Sequence, residues 1–184
     1  MRPIAESCFW FADLPHREPH PPLTSEAHAD VAIIGGGFTG LWTALFLKEL
    51  APDQEIVLLE AERIAYGASG RNAGQVSETF DHSHGLAIQH FGEQEAAKLA
   101  RLARANLDEM EGFLARESID AEFARVGQIV LALTSTHTRE VDAALAAARR
   151  LGIEDWRKLD LDETREALGS PLPLCALFAP KAAT

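Results

Sequence analysis

Three glycines, one carboxylate and a short polar loop are the residues of this chain whose types and spacing could do chemistry. Gly35, Gly37 and Gly40 stand in the hexapeptide GGGFTG, and Glu60 follows 20 residues after Gly40. Each glycine has a physical job in a G-x-G-x-x-G turn. Gly35 permits a tight turn, Gly37 lets backbone approach a pyrophosphate without a Cβ in the way, and Gly40 lets a helix pack closely on a strand. A helix starting at Phe38 and Thr39 would aim free N–H groups and the positive end of its dipole at the phosphates. Glu60 would accept hydrogen bonds from ribose hydroxyls, and its charge would repel a 2′-phosphate, which disfavours NADP. The third element, residues 63–75, concentrates small residues, a hydroxyl, an amide and guanidinium groups, a composition able to wrap a flat cofactor and donate to its oxygens.

Other constellations carry less. Asp81-His82-Ser83-His84 offers a His-x-His pair, but no third or fourth ligand lies at a convincing spacing, so no metal site is expected. His16, His20, His28, His90 and His137 read as surface or arm residues. Ser69 lies in G-A-S-G-R, where Arg71 replaces the last glycine of a nucleophile elbow and no triad order is recognisable, so a hydrolase is a poor reading. Cys8 and Cys175 have no C-x-x-C spacing and read as reduced, unpaired thiols.

The elements that must position the glycine turn are legible around it. Asp30–Ile34 is a short apolar run expected as a strand buried on both faces, Phe38–Leu50 has helical spacing closed by Ala51-Pro52-Asp53, and Gln54–Glu60 returns to a strand pattern. Strand, glycine turn, helix and strand form a βαβ unit. That context disfavours a plain structural turn followed by an ordinary surface glutamate. Residues 61–80 are expected as loop with short helical turns, and Glu93–Glu117 as a long amphipathic helix. Its apolar positions are Leu99, Ala103, Leu107, Met110 and Leu114, and its charged residues, Arg104 among them, are expected on a solvated face. Gln128–Thr134 reads as a strand with a shorter partner at Ala121–Arg125. Thr138–Leu151 reads as a helix, Asp162–Leu168 as a short helix capped near Asp160, and residues 172–180 as a further strand-like run.

Bulk properties narrow the function classes. The chain has 184 residues and is 47% hydrophobic, enough to bury a core. Its formal charge of -11 provides no field for a polyanion, so nucleic acid is not an expected partner. No apolar run reaches the roughly 20 residues of a membrane span, and the first residues lack the apolar core of a signal peptide, which reads as cytoplasmic. Residues 1–29, with five prolines, are expected as an extended N-terminal arm whose Phe9-Trp10-Phe11 cluster docks on the body.

The stretches DVAIIGGGFTGL at 30–41 and ERIAYGASGRNAGQ at 62–75 together resemble the FAD-dependent oxidoreductases of the D-amino-acid oxidase and glycine oxidase superfamily, most closely the γ-glutamylputrescine oxidoreductase type of amine oxidase. The resemblance implies an α/β fold: a Rossmann-like FAD-binding βαβ domain over 30–118 followed by a long helix, then part of an α+β substrate domain over 119–184. It places Gly35, Gly37, Phe38, Thr39 and Gly40 on the pyrophosphate, Glu60 on the adenosine ribose and Arg63 near the phosphates. It also places Ser69, Gly70, Arg71, Asn72, Ala73, Gly74 and Gln75 beneath pyrophosphate, ribityl chain and flavin ring. Ala73 stands where relatives often have glycine.

The implied cofactor is FAD and the implied substrate a small amine or amino acid. In such enzymes the amine loses hydride from its α-carbon to the flavin, the imine hydrolyses and dioxygen reoxidises the flavin to give peroxide. No motif fixes a general base, and no catalytic residue is assigned. Relatives are roughly twice as long, so the sequence is expected to be the N-terminal part of an oxidase, with a second chain as one source of the remaining half. Two alternatives stay open: an FAD-binding fragment or subunit without activity, and an NAD-dependent dehydrogenase. The latter would require a third strand soon after Arg63, and the loop at 67–75 argues against it.

Overall fold

The computed structural model of the chain describes residues 8–14, 20–80 and 83–184. His16, Asp81 and His82 lie outside the described residues, as do most of the arm's prolines. The chain divides into two compact units, Met1–Ala73 and Gly74–Thr184.

The first unit contains a helical turn α1 (Phe9–Asp13), strand β1 (Val31–Ile34), helix α2 (Phe38–Leu50), strand β2 (Ile56–Leu59) and a 3-10 turn at Ala68–Gly70. β1 and β2 pair in parallel from Val31↔Ile56 to Ile34↔Leu59. Parallel neighbours need a crossover, which α2 supplies. The crossover is locked at its far end. Lys48 Nζ donates to the carbonyls of Pro52 and Gln54 at 2.6 and 2.9 Å, and the Glu55 amide donates to Asp30 Oδ2 at 2.8 Å. Within α2, Trp42 and Phe46 stack one turn apart with centroids 5.3 Å apart.

One expectation needs correcting here. β1 is not buried on both faces: it alternates between half-buried and exposed residues, and Ile34 keeps 79% of its surface. Among the described residues the unit's sheet has two strands and α2 is its crossover, so one helix cannot cover both faces. The arm also differs from fully extended chain, since Phe9–Asp13 forms the helical turn α1.

The second unit opens with α3 (His84–Arg116), followed by β3 (Gln128–Ala132), α4 (Ser135–Arg150), β4 (Arg157–Leu159), α5 (Leu161–Leu168) and β5 (Cys175–Ala179). β5 is the centre of an antiparallel sheet of order β3-β5-β4. Two apolar clusters hold it. Ala87, Ala96 and Ala100 of α3 pack with Ala148, Leu151 and Ile153, while Ala132, Cys175, Leu177 and Ala179 of the sheet pack under Val141 and Leu145 of α4. Asp160 caps α5 in a full capping box with Glu163, and Gly169 ends it in the left-handed conformation.

Differences from the sequence reading have local causes. α3 begins nine residues before the expected Glu93 because a first segment, capped by Ser83, runs into Gly92, whose φ of 78° breaks the helix. Ala121–Arg125 forms no strand: Glu122 sits at φ 51°, and only Ala124 pairs, with Thr184. β4 is a three-residue strand, too short to show a period. Among the described residues no helix is long and apolar enough to cross a membrane.

Candidate functional site

The glycine turn is built where β1 ends. Gly35, at φ 102°, still donates its amide to the Leu59 carbonyl at 2.7 Å, so the parallel ladder continues one residue past the strand before the chain turns. Only glycine adopts that φ without strain. Gly37 then precedes α2, whose first amides have no intrahelical acceptor. Glycine supplies no side-chain cap, and the cap comes instead from the following loop: Ser69 Oγ accepts from the Phe38 amide at 3.0 Å. The amides of Thr39 and Gly40 belong to the same open end, where helix geometry directs them at an anion. A Cβ on Gly40 would run into the Gly35 carbonyl oxygen, and one on Gly37 would sit 3.1 Å from Ser69 Oγ. The turn is therefore closed to a side chain at Gly40 and tight at Gly37.

Glu60 joins the turn from β2. Its Oε2 accepts from the Gly36 amide at 2.7 Å and its Oε1 from the Glu62 amide at 3.1 Å. These two donors, Gly36 first, hold its carboxyl below the usual range, so it is a carboxylate at neutral pH. Each oxygen keeps a second lone-pair direction for another donor. Gly36 is buried, and a Cβ there would press on Ile64 and Glu60. The G-x-G-x-x-G spacing assigns Gly36 no role, and the signal for it in the sequence is the run of three consecutive glycines. Ala65, which has no role in that spacing either, holds φ 63° and donates its amide to the Gly36 carbonyl at 2.9 Å, which folds residues 61–65 back on the turn.

The polar loop spends several of its side chains on itself. Arg71 Nε donates to the Gly67 carbonyl at 3.1 Å, and Asn72 Nδ2 donates to the Ser69 carbonyl at 2.8 Å. The guanidinium of Arg63 lies 3.5 Å over the ring of Phe11. Residues 35–40, Glu60, Arg63 and residues 69–73 fall in the first unit, whereas Gly74, at φ 78°, and Gln75 fall in the second. After Arg63 the first unit forms turns and the Ala68–Gly70 helix, not a third strand.

The remaining candidates are accounted for otherwise. His84 is buried with its ring 4.9 Å from that of Trp156. Arg104 is not on a solvated face but pairs with the buried Glu78 at 3.0 Å.

A turn with a left-handed glycine, amides at a helix end, no room for a Cβ at Gly40 and an ionised glutamate beside it fits the phosphates and ribose of an adenine dinucleotide.

Comparison with known proteins agrees with this geometry. Residues 30–184 match the family model described as FAD dependent oxidoreductase. The probable oxidoreductase OrdL of Haemophilus influenzae is 31% identical over 159 residues, 86% of this chain and 36% of that protein. The gamma-glutamylputrescine oxidoreductase of Escherichia coli is 28% identical over 164 residues, 89% of this chain and 38% of that protein. Among solved structures, glycine oxidase from Bacillus cereus superposes with a TM-score of 0.66 at 25% identity, over 85% of this chain and 39% of that one. The chain thus spans less than two fifths of the length of these relatives.

Proposed function

The chain belongs to the FAD-dependent oxidoreductase family, and on that premise we propose that its first unit holds FAD by the turn at residues 35–40, within an enzyme that oxidises the C–N bond of an amine or amino acid. The observation that carries the reading is the double tie on the turn. Glu60 holds it from β2 through Gly36, and Ser69 holds it from the loop through Phe38.

In this reading the Thr39 and Gly40 amides receive the pyrophosphate, Glu60 accepts from the adenosine ribose, and residues 69–75 line the ribityl chain and ring. Arg63 supplies positive charge near the phosphates. FAD, when bound, supplies the acceptor for a hydride from the substrate's α-carbon. This chain's residues bind and orient the dinucleotide, and its own contribution is the nucleotide-binding part of the reaction. Similarity to a gamma-glutamylputrescine oxidoreductase and to a glycine oxidase supports an amine or amino acid as substrate. Dioxygen as electron acceptor is part of the same proposal.

A fluorescence titration of the chain with FAD tests it, with NAD as the competing dinucleotide. Saturable quenching by FAD that is lost in Gly37→Val and not displaced by NAD is the expected result. Saturable NAD binding without FAD binding would replace this reading with a nicotinamide domain. Peroxide formed by the chain from added amines would show that it needs no second chain for turnover.

A further inference from the structure

We propose that Trp10 is a positioning residue for the nucleotide-binding loop, with α1 acting as a strap that fixes residues 69–72 before the dinucleotide arrives. The inference rests on the reading of that loop as part of an FAD site.

A five-residue helix has no independent stability in water, because one turn costs more in chain entropy than its few hydrogen bonds return. α1 has no side-chain cap at its N-terminus either. Among the described residues, tertiary contacts tie it to the stretch from Arg63 to Asn72. Trp10 Nε1 donates to the Asn72 carbonyl at 2.6 Å, and Cys8 Sγ donates to the Gly70 carbonyl at 3.3 Å. The Phe11 ring lies under the Arg63 guanidinium and so close to Gly70 that a Cβ there would fall 2.8 Å from its edge. Contacts of this kind close a chain separation of 62 residues.

The strap reaches the glycine turn through a short series of bonds. Trp10 holds the Asn72 carbonyl, the Asn72 amide nitrogen holds the Ser69 carbonyl at 2.8 Å, and Ser69 Oγ caps the Phe38 amide at 3.0 Å. Ser69 can cap α2 only while the 3-10 turn around it keeps its shape. Phe9 remains 66% exposed and Trp10 39% exposed, and the indole N–H makes the directed bond.

The test is Trp10→Phe in the full 184-residue chain, with Leu14→Ala as a control on the exposed side of the same segment. Amide hydrogen exchange is measured without ligand, and FAD affinity by fluorescence titration. Removing one directed hydrogen bond predicts faster exchange at residues 68–72, unchanged protection in α2 beyond its first turn, and an FAD dissociation constant raised about three- to ten-fold. The control is expected to match the parent in both. Unchanged exchange at 68–72 would overturn the strap itself. Faster exchange with unaltered affinity would reduce it to a structural contact and overturn the positioning role. Loss of protection throughout β1 and β2 would mean that Trp10 holds the fold rather than the loop, and would also overturn the proposal. A parent chain that shows the expected exchange pattern but binds no FAD would refute the FAD reading and leave the strap standing.

Discussion

The carboxylate of Glu60 accepts the amide of Gly36 at 2.7 Å, so the residue that follows β2 also fixes the turn that follows β1. A side chain expected to read a ribose is thereby part of the scaffold of the turn. Glu60→Gln keeps one amide oxygen as acceptor but loses the charge and one of two acceptor positions, and FAD affinity is expected to fall about ten-fold. The pH dependence has a defined sign. The folded-state pKa lies below the ordinary carboxylate value, so the contribution is complete above that value and is lost as pH falls through the lowered one. The unfolding midpoint should therefore show no loss from this group between about pH 8 and 5 and fall below, and Glu60→Gln should remove that part of the decline.

Gly40 and Gly112 both lie in helices, and their substitution by alanine should have opposite effects. In an open helix Gly→Ala gains about 1 kcal/mol. A Cβ on Gly112 meets nothing within 4 Å, so Gly112→Ala should raise the unfolding midpoint. At Gly40 the same Cβ meets the backbone oxygen of Gly35, which cannot rotate away as a side chain could. Gly40→Ala is expected to cost about 2 kcal/mol and to abolish FAD binding, read by thermal unfolding and by titration.

The βαβ unit was legible because its signals are local. Strand, glycine turn and helix follow one another, and the bounds of α2 came out residue for residue. The roles of Ser69 and Trp10 were not, because both depend on pairs far apart in sequence: Ser69 with Phe38 and Trp10 with Asn72. An apolar or aromatic residue announces burial, but its polar atom does not announce a partner. Arg104 failed for the same reason. Its place in a charged helix suggested solvent, and only the fold brings it to Glu78.

Glu78 is 1% exposed, and its two oxygens serve three groups of the second unit. Oε1 accepts from Trp156 Nε1 at 2.9 Å and from the Lys181 amide at 3.3 Å, while Oε2 stands 3.0 Å from Arg104 Nε in an ion pair poorly aligned for a hydrogen bond. Arg104 also pairs with Asp155. Glu78→Ala would leave the Arg104 charge with one partner and the indole N–H with none. A loss of about 3–5 kcal/mol is expected in denaturant unfolding. Asp155→Ala, at a more exposed partner, should cost about 1 kcal/mol or less.

His84 gives the second unit a pH dependence opposite to that of a surface histidine in an ion pair. It is buried beneath Trp156, its Nε2 has no hydrogen-bond partner among the described residues, and burial first, then the charge of Arg104, pushes its pKa below the ordinary 6.5. The folded state thus favours the neutral ring, and the unfolded chain takes up a proton at higher pH. Stability is complete above the ordinary value and declines as pH falls below it, until the lowered folded-state value is passed. His84→Phe preserves a ring against Trp156 and removes both the titration and the unpartnered nitrogen. The variant is expected to be about 1 kcal/mol more stable at neutral pH and to show a flat unfolding midpoint between pH 7 and 5.5, where the parent falls. A parallel decline in both proteins would show that the pH dependence does not come from His84.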